Sequence, residues 1–168
     1  VPIVAQIEGN CLGAGVEIAC CCDIRIASES ARFGAPIARL GFPMAPREAA
    51  LVLREAGAST AREMLLQAAV LGAPEMKARG FLNQLVTDGA TKEVALAVAQ
   101  QVAALAAQAA RLNKRTLRAL NQASALFENT ISATDPVANA IRNAYQYADS
   151  AEHREGIDAF MQKRKPMF

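Results

Sequence analysis

The run from Ile7 to Ile26, IEGNCLGAGVEIACCCDIRI, constrains this chain more than any other. Val1 to Ile7 reads as a short buried strand, ended by Gly9-Asn10. A glycine-rich turn follows at Leu12-Gly13-Ala14-Gly15, then a helix from about Ala14 to Cys22. Asp23 interrupts it, and Ile24 to Ala27 alternates as a second strand. Strand, glycine turn and helix in succession predict an α/β fold. They also place backbone N–H groups without partners at a helix N-terminus. Such groups hold an oxyanion or a phosphate, and the neighbouring side chains decide which. The turn has no Lys or Arg and no Walker-type Lys-Ser/Thr, which argues against a triphosphate. A polarised carbonyl fits better.

Glu17 is the one charged residue between Glu8 and Asp23. It lies three residues after Ala14, on the same helical face. That makes it a candidate general acid or base beside an N–H donor. A buried Glu paired with an Arg would have the same spacing.

The rest of the chain divides near Asp88 into an α/β part, residues 1–88, and a helical part, residues 89–168. In the first part Ala31 to Gly34 is extended, and Pro36 to Pro46 reads as an irregular loop. Pro46 opens a helix that stops before Gly57. Ser59 is expected to cap a helix from Thr60 to about Ala69. Pro74 opens the next helix, Gly80 closes it, and Phe81 to Val86 is a short strand. In the second part, helices are expected from Thr91 to about Ala110, from Asn113 to about Glu128, from Asp135-Pro136, and after Ser150. Their amphipathic faces need a partner.

With 168 residues, 52% hydrophobic and a net charge of +2, the chain can bury a core. It has no global charge excess for nucleic acid or an anionic membrane. Val94 to Ala110 is too short and too interrupted by Gln to read as a membrane span. Cys11, Cys20, Cys21 and Cys22 lack metal-ligand spacing, and buried thiols in a reducing cytoplasmic compartment are expected. His153 is expected to be exposed. The opening, without Met and directly on a strand, predicts that a portion upstream is missing.

Four stretches carry a family resemblance. Leu12 to Ala19 with Cys22 to Ala27, Ala31 to Pro36 with Leu40 to Pro43, Ala78 to Val86, and Glu155 to Arg164 resemble, in order, the crotonase (enoyl-CoA hydratase/isomerase) superfamily. The resemblance implies the C-terminal two-thirds of the usual family chain: a partial crotonase-like β/α spiral, its N-terminal portion missing, followed by a helical trimerisation region. It implies an acyl-CoA thioester substrate, with CoA part of that substrate and no separate cofactor or metal. It implies a homotrimer or a dimer of trimers. The Ala14 N–H falls on the second oxyanion-hole donor and Glu17 on the first catalytic carboxylate. Phe160 and Lys163 fall on positions that reach the CoA adenine and phosphates. Two departures stand out. The second carboxylate position is Ile37, which cannot hold water or move a proton. The loop after Pro43 reads Met44-Ala45-Pro46-Arg47 where a Gly-rich stretch is usual. The alternative is therefore a relative that binds acyl-CoA or builds a trimer without turnover.

Overall fold

A computed structural model describes residues 1–40, 43–123 and 150–167. The chain forms two compact units. One comprises Ile3–Ala99; the other comprises Val1–Pro2 with Gln100–Phe168. The division falls after Ala99, whereas the composition shift lies near Asp88.

In the first unit, β1 (Val4–Ile7), β3 (Ile24–Ser28) and β6 (Gln84–Val86) form a parallel sheet in the order β1-β3-β6. Val4 aligns with Ile24, and Ile26 aligns with Gln84. β3 is the central strand, and it is buried from Arg25 to Ser28. A second sheet joins β2 (Asn10–Leu12), β4 (Arg32–Gly34) and β5 (Val70–Gly72), with β2 parallel to β4 and β5 antiparallel to it. β2 and β5 are additions to the sequence expectation. Each has only three residues and gains its strand character from a partner distant in sequence.

Helix α1 (Ala14–Cys21) has the expected bounds to within one residue. Pro36–Leu40 is a 3-10 turn, where an irregular loop was expected. Pro46 does open α2 (Pro46–Ala56) at its first turn. Helix α3 (Ala58–Leu66) starts from Gly57, so Ser59 is not its cap; the Ser59 hydroxyl instead donates to Glu63 Oε1 at 3.4 Å. α3 also ends before the expected Ala69, because Ala68 turns left-handed at φ 50° and leads into β5. Helix α4 (Ala73–Ala78) closes on Gly80 at φ 83°. The Gly80 N–H bonds Lys77 O and the Phe81 N–H bonds Met76 O, a Schellman end.

The core packs Val16, Phe33, Val52, Met64, Met76 and Phe81. Phe33 and Phe81 meet edge to face, with ring centroids 5.8 Å apart. Arg25 enters this core from β3. Its Nε donates to Phe81 O at 2.7 Å, and its guanidinium lies 4.5 Å from the Phe81 ring centroid. The strand alternation had marked Arg25 only as a polar position.

Helix α5 (Thr91–Ala103) begins on a buried Thr91 whose hydroxyl donates to Glu8 and accepts from Gln6 Nε2. The single helix expected to reach Ala110 ends at Ala103, and α6 (Ala107–Ala123) begins earlier than the expected Asn113. The expected helix from Asp135-Pro136 lies outside the described residues. Ser150 caps α7 (Ala151–Met161), its hydroxyl accepting the His153 N–H at 3.1 Å. His153 is half-buried, in contrast to the exposed position expected for it. No single helix among the described residues is long and apolar enough to cross a membrane.

Candidate functional site

The site is built on the glycine turn between β2 and α1. Gly13 adopts φ 53° and ψ −118°, a backbone state that side chains other than hydrogen strain. Its N–H donates to Gly34 O at 2.8 Å, which ties the turn to the end of β4. Its carbonyl accepts the Val16 and Glu17 N–H groups at 3.0 and 3.3 Å. Helix geometry leaves the N–H groups of Ala14 and Gly15 without intrahelical acceptors. Ala14 is exposed at the start of the helix. Glu17 is half-buried one turn further on, on the Ala14 face. The structure thus holds the two expected groups, Ala14 and Glu17, on a single short helix.

Arg25 pairs with Glu55 of α2. Glu55 Oε2 lies 3.4 Å from Arg25 Nη1.

Gly34 matters as much as Gly13. A Cβ there would lie 2.7 Å from Ala69 O, a backbone atom that cannot swing away. Gly34→Ala is expected to push β4 off β5, lengthen the Gly13 N–H bond and displace the start of α1. The expected cost is about 1–3 kcal/mol of stability, with activity down about 100-fold from misplacing the N–H donor. Thermal melting and turnover of the same sample check both.

Ile37 sits half-buried in the Pro36–Leu40 turn. Arg39 donates from Nη2 to Ala68 O at 3.0 Å. This bond bridges the 3-10 turn to the segment before β5.

The other two expected residues belong to the second unit. Phe160 lies in α7 by its backbone, and its side chain is outside what the structure describes. Lys163 follows the helix, exposed, at φ 51°. It occupies the left-handed position of a helix end, with the Arg164 N–H bonding Ala159 O at 3.0 Å. Arg164 grips Glu155 with two nitrogens, at 2.6 and 2.9 Å, and the Met167 N–H also bonds Glu155 Oε1.

The Arg164 hydrogen bonds, aided by the Met167 N–H, hold the Glu155 carboxyl down at about 2. Its folded value lies below its ordinary 4.5, so this contribution to stability is complete above about pH 4.5. It is lost as the pH falls toward 2. An NMR titration of the Glu155 carboxyl carbon is expected to show that low midpoint, and Arg164→Ala is expected to return it toward 4.5.

All four cysteines are free. Burial pushes the Cys11 thiol up to about 11 and the Cys20 thiol to about 12, away from the reactive thiolate. Cys21 is exposed, so the expectation of buried thiols fails there. Among the described residues no His, Cys, Asp and Glu cluster could hold a metal.

The enoyl-CoA hydratase/isomerase family model matches residues 1–168. The 2,3-dehydroadipyl-CoA hydratase of Escherichia coli (strain K12) is 30% identical over 99% of this chain and 62% of its own length. The crystal structure of an enoyl-CoA hydratase/carnithine racemase from Magnetospirillum magneticum superposes with a TM-score of 0.85. It is 34% identical over 99% of this chain and 59% of the other. Human enoyl Coenzyme A hydratase domain-containing protein 3 gives a TM-score of 0.79 at 26% identity, covering 100% of this chain and 63% of that one. The chain thus spans about three fifths of the length of these relatives. Its α/β fold is crotonase-like, and the chain belongs to the enoyl-CoA hydratase/isomerase family.

Proposed function

We propose that this chain forms the catalytic half of a site acting on an acyl-CoA thioester. The substrate is an enoyl-CoA, and the reaction is addition of water or movement of the double bond. The Ala14 N–H meets the thioester oxygen where negative charge develops, and Glu17 moves a proton at the acyl chain. The observation that carries this reading is the Gly13–Gly34 hydrogen bond. It fixes the start of α1 and with it the placement of Ala14 and Glu17, whose spacing the helix itself sets. CoA enters as part of the substrate, so no separate cofactor is invoked.

Phe160 and Lys163 are proposed to meet the CoA adenine and phosphates. Lys163→Gly tests this without disturbing the turn, since glycine suits the left-handed position. The expected result is weaker CoA binding, by about 5–10-fold for one lost charge contact, at unchanged melting temperature.

Residues 89–168 are proposed to build a homotrimer or a pair of trimers. Leu117 and Leu120 of α6 are 67% and 50% exposed, which supports a face that another subunit covers. Four free cysteines suit a reducing, cytoplasmic setting.

The test is crotonyl-CoA, followed by loss of its enoyl absorbance. Turnover supports the reading. Binding without turnover would favour a second reading, a non-catalytic acyl-CoA binder, which the half-buried Ile37 supports.

A further inference from the structure

We propose that Glu48 supplies the second proton-moving carboxylate that Ile37 cannot. This inference rests on the acyl-CoA reading above. Glu48 is the third residue of α2, after Pro46 and Arg47. A carboxylate in the first turn of a helix usually lies in water, where it complements the helix dipole. Glu48 does not. Its Oε2 is buried and has no hydrogen-bond partner among the described residues. Leaving such an atom unpaired costs stability, and native proteins retain the cost mainly where a ligand or water completes the site.

Its position follows from two further observations. Glu48, Val52 and Ala56 are spaced four residues apart, and Val52 and Ala56 are buried, so Glu48 lies on the inward stripe of α2. α2 packs against α1. Arg25 Nη1 joins their C-terminal ends, lying 3.3 Å from Ala19 O, 3.4 Å from Cys22 O and 3.4 Å from Glu55 Oε2. Two packed helices joined at their C-terminal ends present their N-terminal ends on the same side. Glu48 lies about 10 Å back from Glu55 along α2. Ala14 lies about 8 Å back from Ala19 along α1. The orphaned carboxyl oxygen therefore belongs to the end of the helix pair that carries the Ala14 N–H and Glu17.

In the proposed hydration, Glu17 takes a proton from water as the water oxygen bonds the β-carbon. The double-bond electrons move to the thioester oxygen at the Ala14 N–H. When that enolate collapses, the pair returns to the α-carbon, which takes a proton from Glu48 in its acid form. H and OH have been added, and the proton on Glu17 passes through solvent to reset Glu48.

The test compares Glu48→Gln with the unmodified protein, using the intact protein with crotonyl-CoA as substrate and butyryl-CoA as the non-reacting ligand. The expected result is a kcat lowered about 100-fold or more, with butyryl-CoA affinity kept within about 3-fold. The melting temperature is expected to be unchanged or higher, because an unpaired buried carboxylate has been replaced. A kcat within about 3-fold of the unmodified protein would overturn the role of Glu48 and leave the acyl-CoA reading standing. A kcat that falls together with melting temperature and butyryl-CoA affinity would also overturn it, since that is a structural effect. An unmodified protein that hydrates no enoyl-CoA would overturn both.

Discussion

Glu17→Gln is expected to lower kcat for enoyl-CoA turnover by about 10²–10⁴-fold, the range for loss of a positioned acid or base. Acyl-CoA affinity and melting temperature are expected to change little. The amide keeps the size and polarity of the carboxylate but cannot accept the proton. Glu17 is half-buried, and its backbone N–H bonds Gly13 O as part of the first turn. The substitution leaves that backbone bond in place. The split between kcat and affinity is the informative part. A loss of affinity with kcat preserved would mean that Glu17 binds substrate without moving a proton.

Arg25→Met is expected to have the largest effect on stability. Arg25 is 8% exposed and links three elements at once. It donates to Phe81 O beyond α4, to Ala19 O and Cys22 O at the end of α1, and to Glu55 of α2. Methionine fills much of the volume but donates nothing. Phe81 O is then left buried without that charged donor, at about 1.5–3 kcal/mol for such a bond. The stacking on the Phe81 ring is worth about 1 kcal/mol more. Glu55 keeps Arg54 as a partner at 3.1 Å, so it adds little to the loss. A total near 3 kcal/mol corresponds to a melting temperature lower by about 6–12 °C. Arg25→Lys is expected to recover only part of it, because an ammonium lacks the planar fork. A variant that melts within 1–2 °C of the unmodified protein, a shift of well under about 1 kcal/mol, would show that packing alone holds this core.

The parts of the fold legible in the sequence are those with local chemical causes. Pro46 at a helix start, Gly80 past a helix end and Ser150 as a cap each act within a few residues. The α1 turn was legible for the same reason, since a Gly-rich turn between a strand and a helix has few other uses. β2 and β5 were not. Three residues carry no period, and their pairing partners lie about 20 residues or more away. The break between Ala103 and Ala107 was hidden as well. Nothing from Val94 to Ala110 is a Gly or Pro, and the local sequence offers no reason to stop.

The candidate site shows the same division. Ala14 and Glu17 share one helix, so their spacing could be read directly. Arg25 read only as a polar position, because strand alternation cannot reveal that Phe81 and α1 would close over it. Glu48 carried only a faint signal, its four-residue spacing from Val52 and Ala56. Its buried oxygen becomes visible only once α2 is packed.

The central claim is that the start of α1 polarises a thioester carbonyl. Isotope-edited infrared spectroscopy of bound butyryl-CoA, labelled with ¹³C at the carbonyl, tests it most directly. A carbonyl stretch at lower frequency than in water is expected, moving back toward the water value in Gly34→Ala. A bound thioester with the same frequency as in water would contradict it.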